Sequence, residues 1–184
     1  MFGLYTLTFW MPQLIKAVGK NYSKTIIGLL VMVPYVFALT TMILVGRSSD
    51  RSLERRYHGA IPIAIGALCF GLLTATGTTS VFLLVALWAL TASGINSFLA
   101  PFWSLPNQFL TGYAAAAGIA LINCFGNLGG FLGPYAMGAM IKSTGSFRAG
   151  LVLAGASWLI SAALLIALPG KTEAQTQHSL ATKK

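Results

Sequence analysis

The sequence predicts an all-α membrane protein, and three observations carry that prediction. Only 8% of the 184 residues are charged, against roughly 25% in a soluble domain. The chain is 56% hydrophobic, with a mean hydropathy of +0.77. Its apolar residues gather into six stretches separated by short polar segments, and no stretch carries an acid or base in its interior. About 20 apolar residues suffice for a helix to cross a hydrocarbon core roughly 30 Å thick.

The first stretch, residues 2–15, ends before Lys16. At about 1.5 Å per residue its roughly 14 residues reach about 21 Å, so it reads as the later part of a spanning helix. Pro12 is expected to break or kink it. Trp10 suits an interfacial belt, whereas Tyr5 lies deeper and suits a cavity or a belt equally. Lys16, Lys20 and Lys24 mark a polar loop. The second stretch, 25–45, has Pro34 at mid-span, where a proline frees a backbone carbonyl and kinks the helix. Tyr35 follows it, beside either a cavity or a packing contact. Gly46–Gly59 is the densest charge cluster and is expected to be a loop. It either sets topology as a solvated segment or latches two helix ends through ion pairs, Asp50 with Arg51 and Glu54 with Arg55 and Arg56.

The third stretch covers about 60–77 and ends in a minimal turn, Gly77–Ser80. The fourth covers 81–103, with Ser93, Gly94, Asn96 and Ser97 inside and Trp103 just within its end. An uncharged linker, Ser104–Gly112, leads to the fifth, 113–141. Lys142–Arg148 is a short loop before the sixth stretch, 149–168. The tail, 169–184, is polar and expected to be disordered.

The fifth stretch contains ALINCFGNLGGFLGP, residues 120–134. Asn123 and Asn127 are four apart and share one helical face. Gly126 with Gly130, and Gly129 with Gly133, are small-xxx-small pairs that let a neighbouring helix approach closely in lipid. An amide in hydrocarbon is costly unless it finds a partner or a water-filled cavity. Two readings stand: the asparagines line a substrate path, or they bond neighbouring helices.

The formal charge of +9 sits in short loops and the tail, where lipid headgroups and topology account for it; nothing resembles a nucleic-acid module. Cys69 and Cys124 lie in apolar runs without metal-ligand spacing and read as small buried residues. His58 has no metal-ligand partners nearby. No metal, cofactor or catalytic constellation is expected, and no cleavable signal peptide is visible in residues 1–12. If the helices alternate, Arg47, Arg51, Arg55 and Arg56 share a side with the tail lysines Lys171, Lys183 and Lys184. They outnumber the basic residues opposite, which favours a cytoplasmic arginine loop and C-terminus.

Two stretches together carry a family resemblance. One is SDRSLERRYH, Ser49–His58; the other is PFWSLPNQFLTGYAAAAGIALINCFGNLGGFLGP from Pro101, followed by KSTGSF. They resemble the anion:cation symporters of the major facilitator superfamily, especially bacterial organic-acid permeases such as those for tartrate, phthalate or hydroxyphenylacetate. The resemblance implies a six-helix C-terminal bundle of a major facilitator fold, helices seven to twelve, with its first helix truncated. It places the chain in a bacterial inner membrane, with a small organic acid and protons as partners alongside the lipid bilayer and an N-terminal six-helix half.

Gly46, Asp50, Arg51, Arg55 and Arg56 match the superfamily's gating loop, G-x-x-x-D-R-x-G-R-R, with a central gap one residue longer and without its glycine. By the W…N…FGN pattern, Trp103 and Asn123 match substrate-binding positions; Asn127 is one turn on, and Tyr5 is a weaker match. The coupling acids and the substrate-carboxylate arginine belong to the first six helices of such transporters. The expected activity is therefore proton-coupled organic-anion symport as half of a larger transporter. Alternatives are a truncated, non-transporting fragment, or a half-size protein acting as a homodimer or with another partner subunit.

Overall fold

The computed structural model describes residues 1–76 and 80–168. Among these there are six long helices, a one-turn helix and no strand. They are α1 (Phe2–Val18), α2 (Lys24–Ser52), α3 (Arg56–Thr76), α4 (Val81–Ser104), the single turn α5 (Pro106–Phe109), α6 (Gly112–Thr144) and α7 (Arg148–Ala167). Five of them, α2, α3, α4, α6 and α7, are long and apolar enough to cross a membrane.

Several ends follow from local chemistry. The Ser23 hydroxyl accepts from the Ile26 N–H at 3.3 Å and starts α2. Ser80 caps α4 in the same way through Leu83, which satisfies a donor that the first helical turn leaves free. Gly145 closes α6 at φ 68°, a left-handed conformation that costs glycine least.

The helices differ from the sequence expectation in four places. Pro12 does not end α1, which continues through it to Val18. The cluster at Gly46–Gly59 is not a loop: α2 runs on to Ser52 and α3 begins at Arg56, leaving only Leu53–Arg55 as a connection. Lys142, expected in a loop, lies in the last turn of α6. The linker 104–112 contains the turn α5. At the ends of α2 and α6 polar residues continue a helix beyond the apolar span, because a helix end in water needs no apolar face. The expected turn at 77–80 falls largely, and the tail at 169–184 wholly, outside the described residues.

The core is shared by all six long helices. Leu7, Met11 and Ile15 of α1 meet Phe70 of α3, Trp88 of α4, Met137 of α6 and Trp158 of α7. Phe70 and Trp158 meet edge to face with centroids 5.1 Å apart, the favoured geometry for an aromatic pair. α4 lies between α2 and α3, α3 also packs on α7, and α1 packs on α6 and α7. At the α3–α4 crossing a side chain on Gly94 would meet the Pro62 carbonyl and stand 2.9 Å from the Gly66 Cα. Only glycine permits that approach. On α6, Gly130 and Gly133 are buried against α1, where Gly130 faces the Tyr5 ring. Trp10 ties α1 to α6: its Nε1 donates to the Pro134 carbonyl at 3.3 Å.

Candidate functional site

The glycine face of α6 is turned to α1, and this sets where the asparagines go. With Gly130 and Gly133 against α1, Asn123 and Asn127 lie on an exposed face beside the α1 contact. The Tyr5 hydroxyl of α1 donates to Asn127 Oδ1 at 3.3 Å. Asn127 Nδ2 in turn donates to Asn123, reaching its backbone carbonyl at 2.9 Å and its Oδ1 at 3.2 Å. With its Oδ1 turned to Asn127, Asn123 presents its amide N–H₂ as the free donor end. The three residues form one polar chain across two helices.

Asn123 and Trp103 line the same cavity, of about 310 Å³. Its walls come from α1, α3, α4, α6 and α7, and include Phe98, Phe102, Trp158 and Ser161. Phe98, Phe102 and Trp103 form a run of touching rings, with centroids 4.7 and 5.3 Å apart. A more open recess beside Ala116, Ile119 and Ala120 shares Asn123 and Trp103 with the cavity. These two side chains therefore stand between the two spaces. No charged side chain lines either one. The arrangement can hold a flat or aliphatic body against the rings and bond an oxygen through the Asn123 amide. It holds no acid that could take up or release a proton, and no cluster among the described residues could bind a metal.

The four sequence-predicted binding residues are thus brought together: Tyr5, Asn127 and Asn123 by hydrogen bonds, Trp103 by the shared cavity. Sequence reasoning missed Phe98, Phe102 and Ser161. The spacing of Phe98 and Phe102, four apart and next to Trp103, is a usable signal. Ser161 carried none.

The predicted gating residues gather at the far end of α2. Gly46 packs on Ala100 of α4. Asp50 pairs with Arg55 at 2.5 Å, not with its neighbour Arg51. Adjacent helical residues point in different directions, so Arg51 turns outward, around a shallow recess with Arg47 and Ser52. Arg55 also donates to Ser49 Oγ at 3.1 Å, and the fully buried Ser49 donates to the Glu54 carbonyl at 2.7 Å.

Glu54 does not pair with Arg55 or Arg56. Its carboxylate caps α3, accepting from the Tyr57 N–H at 2.9 Å and the His58 N–H at 3.1 Å, with the His58 Nδ1 at 2.9 Å. His58 Nε2 reaches Ser48 Oγ of α2 at 3.0 Å. Arg56 donates to the Ile166 carbonyl at the end of α7. Burial works to raise the Glu54 pKa, but the hydrogen bonds from Tyr57, His58 and Arg56 outweigh it and hold the carboxyl below its usual value. The cluster is a latch joining α2, α3 and α7. Of its members, Ser48 and Ser49 were not legible in the sequence.

Comparison with known proteins gives the family. The model of the Major Facilitator Superfamily matches residues 1–184. The chain is similar to a protein of Agrobacterium vitis named "Putative tartrate transporter", with 45% identity over 168 residues, 90% of this chain and 36% of that protein. It is also similar to a quinolone resistance transporter of Acinetobacter baumannii, 38% identical over 99% of this chain and 41% of that protein. An inner membrane transport protein of Escherichia coli, RhmT, is 30% identical over 95% of this chain and 40% of that protein. The chain thus spans well under half the length of these relatives. No solved structure matches it.

Proposed function

The chain belongs to the major facilitator superfamily and is a multi-pass membrane protein, and on that premise we propose that it forms the C-terminal half of a small-organic-anion transporter. The observation that carries this reading is the placement of Asn123, with Asn127 and Tyr5 behind it and Trp103 beside it, on the wall of a cavity. A carboxylate or hydroxyl oxygen accepts from the Asn123 amide, while the rings of Trp103 and Phe102 bound the rest of the substrate. Cavities at the interface of two repeats are where such transporters bind their cargo, and rocking of the halves exposes the site to each side in turn. The relative named for tartrate supports a hydroxy acid as cargo.

In this reading the coupling ion is a proton, and the groups that bind it belong to a first half of six further helices. No acid or base lies inside a span of this chain, whereas intramembrane acids are the usual proton carriers. The latch at Gly46, Asp50, Arg51, Arg55 and Arg56 sits on the cytoplasmic side of a bacterial inner membrane, with the C-terminus. Its basic residues and the inner-membrane relative support that orientation. Asp50–Arg55 and Arg56 hold the α2, α3 and α7 ends together in one state and release them as the halves rock.

The test is uptake of labelled tartrate by cells making this chain alone, and by cells making it with the first six helices of the Agrobacterium vitis relative. Saturable uptake is expected only with both. Uptake by the chain alone, or none from the pair when both are inserted, overturns the reading.

A further inference from the structure

A second polar pocket lies behind the first. It is small, about 30 Å³, and sits where α1, α2 and α4 meet, with walls that include Thr8, Tyr35, Trp88 and Asn96. Leu4, Ile95 and Trp158 line both this pocket and the larger cavity, so the two are separated by one layer of side chains. Its residues are unusual for an apolar bundle. Trp88 is only 2% exposed, yet its Nε1 donor has no hydrogen-bond partner among the described residues. A buried indole N–H usually finds one, and leaving it unmet costs roughly 1–3 kcal/mol. Asn96 gives its amide nitrogen to the Ala92 carbonyl at 2.8 Å, which leaves the side-chain oxygen as an acceptor. Thr8 Oγ1 and Tyr35 Oη are joined to each other at 3.2 Å. Four polar side chains from three helices thus surround a space the size of one oxygen-bearing group.

We propose that this pocket binds a single hydroxyl-type oxygen, which accepts from the Trp88 Nε1–H, donates to the Asn96 side-chain oxygen and is shared with the Thr8–Tyr35 pair. The volume is enough to hold a water molecule, which needs at least about 10–15 Å³ of such space, and the pocket offers the two to four polar partners a buried water needs. A substrate hydroxyl reaching past Leu4 and Ile95 would satisfy the same groups, and only that source rests on the transport reading above.

The test is the ultraviolet resonance Raman spectrum of the purified full chain, whose indole bands report hydrogen bonding at Nε1. The chain has four tryptophans, and subtracting the spectrum of Trp88→Phe isolates Trp88. A hydrogen-bonded Trp88 is expected, and a free indole N–H with and without added acids overturns the proposal. Should Trp88→Phe not fold, the double variant Thr8→Val, Tyr35→Phe alters only exposed residues in a protein that keeps all its tryptophans. It is expected to weaken the bonded indole signal, and an unchanged spectrum overturns the proposal. The source is then read by adding tartrate or succinate, which lacks hydroxyls. A shift with tartrate alone identifies a substrate hydroxyl, and a bonded signal indifferent to both identifies a resident water. None of these readings requires transport, so failure of the uptake experiment leaves them standing.

Discussion

α4 and α6 have similar composition and opposite surroundings. Both are long, carry no acid, and are interrupted by glycine, proline and asparagine, and the one charge in either is Lys142 in the last turn of α6. Yet 44% of the apolar window within Val81–Gln108 is buried, and only 11% of the window in α6. α4 is enclosed by α2 and α3, whereas α6 packs on one side only, through its glycines on α1 and through Met137 on α7. The difference teaches how to read a polar residue in a membrane helix. On α4, Ser97 is buried and Asn96 half-buried, with the Asn96 amide nitrogen bonded back to the Ala92 carbonyl of its own helix. On α6, Asn123 and Asn127 lie on the open side, beyond the packing face, where structure alone does not require an amide. That is why we propose the α6 asparagines, and not the enclosed polar residues of α4, as the amides that meet the substrate, with the α4 rings as the wall beside them.

The largest expected effect breaks the enclosed helix. Gly94→Val drives methyl groups into the Pro62 carbonyl and the Gly66 backbone, neither of which can move aside as a flexible side chain would. Overpacking of this kind costs about 1–3 kcal/mol or more. The expected result is a clear loss of folded protein in detergent thermal-melt measurements. Gly28→Val on α2, where a Cβ meets nothing, should melt with the parent.

The open helix should respond in function and not in stability. Tyr5→Phe removes the donor to Asn127 and loosens the orientation of Asn123. With one hydrogen bond worth about 0.5–1.5 kcal/mol, a two- to tenfold rise in the KM for uptake is expected in the paired transporter, with an unchanged melt. If the melt falls as it does for Gly94→Val, the polar chain is structural and the contrast between the helices fails.

The smallest effect concerns the latch. The folded-state pKa of Glu54 is depressed, so its contribution to stability is full above the ordinary glutamate pKa. It is lost as pH falls from about 4.5 through the lower folded value. Melting curves of Glu54→Gln should therefore lack the part of the acid destabilisation that the parent shows in that window. An identical pH profile would show that the α3 cap is not held by the carboxylate.

Much of this was legible before any coordinates. Six apolar stretches, the shared face of Asn123 and Asn127 and the small-residue spacing at Gly126–Gly133 follow from composition and helical period. The latch was located but wrongly paired. Sequence spacing permits Asp50 to pair with Arg51 in the latch reading, whereas continuation of α2 to Ser52 turns them apart and the Leu53–Arg55 connection brings Arg55 back to Asp50. A helix that outlasts its apolar span leaves no hydropathy signal at its end. The Thr8–Tyr35 contact and the placement of Ser161 depend on which helices are neighbours, and helical period does not encode that. The bond from Trp10 to the Pro134 carbonyl of α6 depends on helix neighbours in the same way.

The most direct test of the central claim compares two residues of the open helix in the paired transporter. Asn123→Ala removes the amide at the cavity wall, and Leu121→Ala trims an equally exposed residue of α6 that does not line the cavity. Kinetics of tartrate uptake, at matched amounts of inserted protein, should show the KM raised about five- to tenfold by Asn123→Ala, the loss of roughly one hydrogen bond, and unchanged by Leu121→Ala. Unaltered kinetics for Asn123→Ala would contradict the account and return the asparagines to a structural role.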